Sequence, residues 1–380
     1  MSIEIVASVN AGMIPFRSRT IVETLARRTN SAERGRFVVT KERFRLPDRK
    51  SRVTLAEVAK LADVSEITVS RILRNKGPVA ETTRKRVMAA VDLIGYVPNR
   101  IAGSLASAAS NLIGVIIPSL SNIVFPEVLR GIHSAVRGSA FQPVVGITDY
   151  DIDVEEALVR SLLAWKPAAM IIAGFDHTDA TRYMLRKSGI RIAELMDIDP
   201  EPIDIAVGLS HRRAGFDTGR YLVERGYRHF GYVGHDWSSD RRARIRYEGL
   251  VEALAKSGLT VEGHAIIDGP SSTAAGSAMT LELLGKAPYV DVAVYSNDDM
   301  AVGGIFHCLR AGVAVPETLA IFGFNGLEIG AALPKPLSTL RSNRFLIGIT
   351  AVEKIFESLD QRLGPLVVDT GYEIVTGQTA

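Results

Sequence analysis

An alternation of short apolar runs with helical segments constrains the fold of this 380-residue chain more than any other feature. From Leu112 onward the runs are rich in Val and Ile and bounded by Gly, Pro or Asp, with helical segments of roughly ten to fifteen residues between them. The predicted strands are LIGVIIP, PVVGIT, AAMIIAG, RIAELMD, HFGYVG, VDVAVYS and LAIFGF. Continuous apolar strands that alternate with helices are typical of an α/β fold with parallel sheets covered on both faces.

The alternating region, residues 111–380, is longer than one such sheet needs, so we predict two lobes. The first lobe is expected to span about residues 111–208 with a later return segment, and the second about residues 209–336 with a C-terminal segment. DIAVG, at residues 204–208, is predicted to cross between them. Ligands of open parallel sheets bind beyond the carboxyl ends of the strands, so the predicted binding site is a cleft between the lobes.

Charge is distributed unevenly, although the whole chain has a net charge of only +3. Residues 1–52 contain 12 Lys or Arg and 5 Asp or Glu, residues 53–110 contain 8 and 5, and the remainder contains 25 and 32. A basic head on an acidic body favours a polyanionic partner for the head, although a solvated tail would show the same bias. Residues 1–52 lack periodicity and are predicted to be a disordered basic tail, with Met13 as an alternative start of translation.

Residues 53–98 are predicted to form a compact unit of three short helices, of the size of a helix-turn-helix domain. Thr54 and Glu57 have the spacing of a capping box at the start of the first helix. Ser65 suits the N-cap of the second helix. Gly95 suits the left-handed position that ends the third helix.

Three motifs of this unit occur together at the spacing of one protein family. They are Val-Ser-x-x-Thr-Val-Ser-Arg at 64–71, Thr-Arg-x-x-Val at 83–87 and Gly-Tyr-x-Pro-Asn-Arg at 95–100. With them the unit resembles the DNA-binding domain of the LacI/GalR transcription regulators, whose second helix presents its first residues to base edges in the major groove. The DNA-binding residues that this resemblance implies are Ser65, Glu66, Ile67, Thr68, Ser70, Arg71, Arg74, Thr83, Tyr96, Asn99, Ala102 and Leu105.

The side chains of the second helix suit base recognition. Glu66 can accept a hydrogen bond from a cytosine amino group, Ile67 can contact a thymine methyl, and Arg71 can pair with guanine. Arg74 and Thr83 are expected to contact the phosphate backbone, which positions the domain.

Residues 99–110 resemble the hinge helix of the same family, which folds only on specific DNA and inserts a leucine into the minor groove. Leu105 matches that leucine, its alternative being an ordinary apolar linker residue. Gly103 lowers the helicity of the free segment, which suits an element that orders on binding. The sequence departs from the family at Ala80, where a capping serine is common, so we expect a weaker start to the third helix.

The remainder resembles the family's effector-binding core, which is similar to a periplasmic sugar-binding protein and is usually dimeric. The motifs that carry this resemblance include Ile113-Gly-Val-Ile-Ile-Pro118, Gly226-Tyr-Arg-His-Phe-Gly-Tyr-Val-Gly234 and Asn297-Asp-Asp-Met-Ala-Val-Gly303. The chain shows no added heptad tail after this core, so we expect a homodimer. Glu194-Leu-Met-Asp197, with DIAVG and His177-Thr178, is most similar to the subgroup that represses gluconate utilisation.

A sugar-acid effector needs a cation for its carboxylate and polar groups for its hydroxyls. The run RRARIR at 241–246 follows a strand end and could supply the cation. Its Arg246 matches a pocket position of the family, and Asp298 matches one that accepts from ligand hydroxyls. The predicted effector-binding residues are Phe125, His177, Glu194, Asp197, Arg213, Arg246 and Asp298. The alternatives are a solvated helix face for 241–246, an ordinary loop histidine for His177 and a helix cap for Asp298.

Enzyme signatures are missing from the sequence. No GxGxxG follows the first strand, Gly285-Lys-Ala287 lacks the Ser or Thr of a P-loop, and neither GxSxG nor HExxH occurs. The seven histidines do not have metal-ligand spacing, so no catalysis, cofactor or metal is expected. A sugar-acid enzyme on a Rossmann-like fold remains as an alternative, discriminated by turnover with NAD or ATP.

The single cysteine and the N-terminus indicate a cytoplasmic protein. Cys308 lies in an apolar run, is expected to be buried, and has no partner for an internal disulfide. The first residues lack the basic leader of a signal peptide, and no apolar run reaches the ~18 residues of a membrane span. An exported sugar-binding protein is the second alternative.

Overall fold

The structure is a computed structural model of the chain. The residues that it describes are 53–73, 77–97, 110–198, 201–237, 240–359 and 364–380. The described residues divide into two compact units, one within residues 1–98 and the other within residues 99–380. The predicted tail and nearly all of the predicted hinge lie outside the described residues. No described helix is both long enough and apolar enough to cross a membrane.

The first unit packs three helices around a small apolar core that includes Val58, Val69 and Val87. The helices are α1 (Leu55–Leu61), α2 (Glu66–Leu73) and α3 (Glu81–Ile94). The predicted capping box is confirmed, because the Thr54 amide donates to the Glu57 carboxylate (2.7 Å) and the Glu57 amide donates to Oγ1 of Thr54 (3.3 Å).

The two ends of α3 also follow from the sequence. At its start Ala80 makes no side-chain cap, as expected for a residue without a polar side chain. At its end Gly95 adopts the left-handed conformation, with φ of 64°, as predicted. The Gly95 amide donates to the Val91 carbonyl and so satisfies one of the last carbonyls of the helix.

The first lobe of the second unit is a six-stranded parallel sheet between two pairs of helices. Its strands are β1 (Leu112–Ile117), β2 (Gln142–Ile147), β3 (Ala169–Ala173), β4 (Arg191–Leu195), β5 (Ile205–Gly208) and β11 (Leu366–Asp369). Its helices are α4 (Val124–Val136), α5 (Ile152–Ala164), α6 (Asp179–Lys187) and α12 (Arg344–Phe356). The strand order is β11-β5-β4-β3-β1-β2. Alternate residues of β1 pack against α4 and α12 on one face and against α5 and α6 on the other, so both faces are buried.

The second lobe repeats this arrangement. Its strands are β6 (Phe230–His235), β7 (Val261–Ile267), β8 (Val292–Tyr295), β9 (Ala320–Asn325), β10 (Ser338–Ser342) and β12 (Tyr372–Val375). Its helices are α7 (His211–Glu224), α8 (Arg241–Lys256), α9 (Thr273–Lys286), α10 (Asp298–Ala311) and α11 (Glu328–Ala331). The strand order is β12-β10-β9-β8-β6-β7, and β12 alone among these strands is antiparallel to its neighbour. Cys308 is buried in α10, as predicted.

The chain passes between the lobes at three neighbouring places in its described part: residues 209–210, Asn343 and residues 370–371. The Thr370 amide donates to the Gly208 carbonyl (2.7 Å), and Nδ2 of Asn343 donates to the Thr370 carbonyl (2.8 Å). These hydrogen bonds hold the crossings together as one hinge.

The prediction that DIAVG itself crosses between the lobes is wrong. Residues 205–208 form strand β5, which pairs with β4 on one side and β11 on the other, and the chain leaves the first lobe only after Gly208. The run is fully buried, as an interior strand of a parallel sheet must be. With only four residues, it is too short to be predicted as a strand from the sequence. Strands β7, β10, β11 and β12 were also not predicted from the sequence.

Candidate functional site

Helix α2 presents its predicted base-reading side chains to solvent while its apolar face packs inward. Val69 and Ile72 are buried, whereas Ser65, Glu66 and Arg71 are exposed. Ile67 is 73% exposed, a large apolar side chain that contributes nothing to the described core. An aliphatic group at this position of such a helix is available to meet a thymine methyl.

The other predicted DNA-binding residues have more varied environments. Thr68 and Ser70 are half-buried on α2; Oγ of Ser65 lies 2.9 Å from Oγ1 of Thr68 and accepts from its amide (3.2 Å). Thr83 is half-buried near the start of α3, and Tyr96 packs against the core. The predicted residues outside the described part of the chain are Arg74, Asn99, Ala102 and Leu105.

The second unit contains a cleft between its two lobes, where the carboxyl ends of β1 to β4 face the start of α8. Its empty volume is about 620 Å³, the open solvent at its mouth included. The ionisable and hydroxyl side chains that line it are Thr148, Tyr150, Asp151, Glu155, Asp176, Asp197, Asp240, Arg241 and Arg242. Acidic groups therefore predominate, and two guanidinium groups provide the positive charge.

The two arginines reach toward the first lobe from the first turn of α8. Nη1 of Arg241 lies 3.5 Å from Oδ1 of Asp176, and both side chains are substantially exposed to solvent. The guanidinium of Arg242 lies over the ring of Phe125, 5.7 Å from its centroid. Nη1 of Arg242 is buried and has no hydrogen-bond partner among the described residues. A buried guanidinium N–H without a partner would be stabilised by an anion within hydrogen-bonding distance.

Asp240 fixes the position of these arginines. Its Oδ1 accepts from the Ala243 amide (3.1 Å) and so caps α8, and the same oxygen lies 3.7 Å from Nε of Arg242. Burial opposes ionisation, but the bond with His235 and the neighbouring Arg242 and Arg246 hold the pKa of Asp240 well below its usual range. The carboxylate is therefore charged whenever the arginines beside it are.

His177 lies behind the cleft wall between two glutamates. Its Nδ1 is 2.6 Å from Oε1 of Glu155, its Nε2 is 3.3 Å from Oε1 of Glu194, and its side chain is fully buried. Burial disfavours the imidazolium, but the two carboxylates outweigh it and raise the pKa of His177 to about 9. Oε2 of Glu194 also accepts from the Ile203 amide (2.5 Å). His177 and Glu194 thus support the wall, and Glu155 is the member of the group that lines the cleft.

Asp197 and Arg246 lie at the base of the interlobe region. Asp197 lines the cleft directly after β4, and its Oδ1 accepts from the Ile198 amide (2.8 Å). Arg246 lines a second, smaller cavity inside the second lobe, where its guanidinium stacks 3.8 Å from the ring centroid of Phe324. Nη2 of Arg246 donates to the Ser296 carbonyl (2.9 Å).

Of the seven predicted effector-binding residues, only Asp197 lines the cleft, and Phe125, Arg213 and Asp298 are held elsewhere in the protein, as His177, Glu194 and Arg246 are. Phe125 is fully buried in the core, where it meets Arg242 but not the open space. Nη2 of Arg213 pairs with Oδ2 of Asp369 (2.5 Å) at the hinge. Phe125 is thus packed in the core and Arg213 is paired where β11 ends, so their predicted contact with a ligand stays a prediction.

Both carboxylate oxygens of Asp298 accept hydrogen bonds from other residues of the second lobe. Its Oδ1 accepts from Oγ1 of Thr339 (2.6 Å) and its Oδ2 from the Leu327 amide (2.6 Å), and the residue is fully buried. Burial raises the pKa of Asp298 to about 6 despite these bonds. These hydrogen bonds join α10 to β10, and the role of Asp298 toward a ligand stays a prediction.

Two family models together match nearly all of the described chain. One, for bacterial regulatory proteins of the lacI family, matches residues 54–99. The other, for periplasmic binding proteins and the sugar binding domain of the LacI family, matches residues 110–366. The chain belongs to the LacI family.

Individual family members are similar over almost their full length. An HTH-type transcriptional regulator GntR from Pseudomonas aeruginosa is 37% identical over 86% of this chain and 96% of its own. An IdnR regulator from Escherichia coli is 34% identical over 87% of this chain and 99% of its own. These LacI-family relatives place the chain in the gluconate-utilisation repressor subgroup and show a DNA-binding transcription regulator rather than an enzyme.

Solved structures of the LacI family agree with the described fold. A LacI-family regulator from Silicibacter pomeroyi is 43% identical, with a TM-score of 0.81 over 86% of this chain and 99% of its own. The lac repressor dimer bound to operator has the same fold, with a TM-score of 0.75 at 24% identity.

Several cleft residues were missed by the sequence analysis. They are Tyr150, Asp151, Glu155, Asp176 and Asp240, whereas Arg241 and Arg242 belong to the run RRARIR, which was predicted to supply the cation through Arg246. Part of the signal was present, because Tyr150, Asp151 and Asp176 closely follow predicted strands, where ligand-binding side chains of parallel sheets cluster. Two consecutive residues with positive φ, Asp149 and Tyr150, turn the chain into the cleft, and neither is a glycine that would have marked the turn.

Proposed function

We propose that the chain is a homodimeric repressor that binds a palindromic operator in the cytoplasm and releases it when a sugar acid, such as gluconate or a keto-gluconate, occupies the interlobe cleft. The observation that supports the effector class best is the unpaired Nη1 of Arg242 in a cleft that is otherwise rich in carboxylates. A carboxylate ligand would satisfy this donor, and the acidic side chains would accept from ligand hydroxyls.

A neutral sugar fits this cleft less well than a sugar acid. Its hydroxyl oxygens could accept from Nη1 of Arg242 only as neutral acceptors, whereas a carboxylate would form a hydrogen bond between two charged groups, which is shorter and stronger. Asp197 and Glu155 lie on the opposite, first-lobe wall, where they suit hydroxyl donors. The cleft therefore favours a polyhydroxylated monoacid.

Release of DNA is proposed to follow from closure of the lobes. A ligand that bridges Arg242 of the second lobe and Asp197 of the first binds the closed arrangement more tightly than the open one, and so shifts the population toward closure. Closure is proposed to displace the first lobes of the dimer, so that the two hinge segments no longer order together on the operator. Coupling between two such sites is typically about 1–3 kcal/mol and is reciprocal.

Titration calorimetry of purified protein tests the effector class. Gluconate and 2-ketogluconate should bind, whereas glucitol, which lacks the carboxylate, should bind at least tenfold more weakly. Arg242→Gln should remove this preference. Arg244→Gln is the matched control, because Arg244 is exposed on the same helix and pairs with Glu248 outside the cleft. Equal affinity of wild-type protein for gluconate and glucitol would contradict the proposal.

Fluorescence anisotropy tests the DNA arm of the proposal. The protein should prefer palindromic fragments from its own promoter regions over a scrambled duplex of equal length, and gluconate should weaken that binding. A protein that bound every duplex alike, with or without sugar acids, would not be an operator-specific regulator.

A further inference from the structure

His211 makes a buried contact between the lobes that neither the sequence analysis nor the proposed effector site uses. It is the first residue of α7, directly after the chain crosses from Gly208 into the second lobe. Its Nε2 lies 2.7 Å from the carbonyl of Met196 at the end of β4 in the first lobe. Its Nδ1 lies 3.0 Å from Nη1 of Arg246 in the second lobe.

The two partners define the protonation state of His211. A guanidinium can only donate, so Nδ1 must carry the lone pair, and a carbonyl can only accept, so Nε2 must carry the proton. Burial, together with the charges of Arg246 and Arg242, lowers the pKa of His211 well below its usual value. The side chain is therefore a neutral imidazole in a single tautomer that joins a first-lobe carbonyl to a second-lobe cation.

The first-lobe partner belongs to a tightly constrained turn. Met196 has a φ of 79°, in the left-handed region that a non-glycine residue rarely occupies. Gly208 packs directly on this turn, since a Cβ at Gly208 would lie 2.4 Å from the Asp197 amide nitrogen. Asp197, the next residue, lines the cleft. A ligand that contacts Asp197 therefore acts on the same turn that His211 holds.

The second-lobe partner is equally restrained. Besides its bond to His211, Arg246 donates to the Ser296 carbonyl at the end of β8 and stacks on Phe324 of β9. Its position is thus tied to the carboxyl edge of the second-lobe sheet. One imidazole connects that edge to the cleft-lining turn of the first lobe.

We infer that His211 is a positioning residue for the effector response. It fixes the position of the Met196–Asp197 turn relative to Arg246, so that a ligand in the cleft moves both lobes together. The inference rests on the proposed function for its ligand. It adds that the coupling between the cleft and DNA depends on a side chain that does not line the cleft.

Two substitutions separate the hydrogen bonds of His211 from its volume. His211→Phe fills similar space without a donor or acceptor. His211→Gln keeps one N–H donor and one oxygen acceptor about as far apart as the two ring nitrogens. His229→Gln is the control for replacing a histidine, because His229 is exposed on the surface of the same lobe.

The first measurement is the ratio of operator dissociation constants with and without saturating gluconate. His211→Phe should bind operator within about twofold of wild type in the absence of gluconate but lose at least tenfold of the gluconate effect, which is about 1.4 kcal/mol of coupling. His211→Gln should recover most of that loss. A wild-type ratio in His211→Phe, or no recovery in His211→Gln, would overturn the inference.

The second measurement needs no effector. Nitrogen chemical shifts of His211 near pH 7 should be those of the neutral Nε2–H tautomer, and amide exchange in residues 191–198 and 241–247 should increase in His211→Phe but not in His211→Gln. A protonated imidazole or unchanged exchange in His211→Phe would refute the link between the lobes. If no sugar acid changes operator binding by wild-type protein but these results are obtained, the proposed effector class is wrong, whereas the link between the lobes through His211 is supported.

Discussion

At the scale of single residues, the positive groups around the cleft differ in whether they keep a hydrogen-bond donor without a partner in the protein. The imidazolium of His177 is neutralised by Glu155 and Glu194, and Arg246 is held by His211 and the Ser296 carbonyl. Arg242, in contrast, keeps a buried N–H without a partner in the described structure. Since a guanidinium retains its charge even when desolvated, Arg242 is the group we expect to meet the effector carboxylate.

The raised pKa of His177 predicts a pH-dependent contribution to stability. Its folded pKa is about 9 and its ordinary value is 6.5, so the folded state holds the proton more tightly. The stabilisation is fully present below pH 6.5, is on the order of 3 kcal/mol, and is lost as pH rises through 9. Urea unfolding of wild type and His177→Gln should therefore differ most near pH 6 and converge toward pH 9.5.

The comparison isolates His177, because other groups that titrate over this range are common to both proteins. His133→Gln, on the exposed face of α4, serves as the control for loss of a histidine. A difference between wild type and His177→Gln that stayed constant from pH 6 to 9.5 would show that the imidazole is not the titrating group.

At the scale of secondary structure, local signals were sufficient where an element is fixed by its own residues. The capping box of α1 and the glycine that ends α3 were predicted, because caps depend on neighbours within four positions. Strands β11 and β12 have four residues each and are partly exposed, so their apolar stretches are too short to predict a strand. They form because distant strands offer an edge.

The cleft shows the same limit. Residues at the ends of strands were predicted to face it, as Asp197 does. However, the partners of a buried charge are set by tertiary packing. Nothing in the spacing of RRARIR indicates that Arg246 is held by His211 while Nη1 of Arg242 has no hydrogen-bond partner among the described residues. Likewise, no local pattern shows that Asp298 is satisfied by Thr339 across the sheet.

Helix α2 carries a prediction that separates DNA reading from folding. Ile67→Ala should change the free energy of unfolding by less than about 0.5 kcal/mol, because the side chain is 73% exposed. Operator binding should weaken by about 1 kcal/mol, in the range typical of a lost contact to one base pair. Denaturant unfolding and anisotropy titrations on the same preparations measure both quantities.

Leu93→Ala is the matched control, since Leu93 is 76% exposed but lies near the end of α3. It should leave both stability and operator affinity unchanged. If Ile67→Ala bound operator as tightly as Leu93→Ala, α2 would not read bases through this residue.

At the scale of the whole chain, DNA attraction depends on the distribution of charge, whereas ligand binding depends on how the two lobes are connected. Net charge is positive over residues 1–110 and negative over the remainder, which confines attraction for a polyanion to the head. Ligand binding by residues 111–380 is proposed to depend on two lobes that share one hinge. At this hinge the Thr370 amide, the Gly208 carbonyl and the Asn343 side chain form one hydrogen-bonded junction. DNA affinity and effector response therefore draw on different parts of the sequence and should respond differently to salt.

The logarithm of the operator association constant should fall linearly with the logarithm of the salt concentration, with a slope of about −0.9 for each phosphate contact. Gluconate affinity should depend on salt far less, because the charges that meet in the cleft are close together and little screened. Removal of residues 1–52, which contain 12 basic and 5 acidic residues, should make the DNA slope shallower and leave gluconate binding unchanged. Anisotropy and calorimetry between 50 and about 300 mM salt would measure both. Equal DNA slopes for the full and shortened chains would show that the basic segment makes no phosphate contacts, and the helical unit would then account for the whole electrostatic attraction.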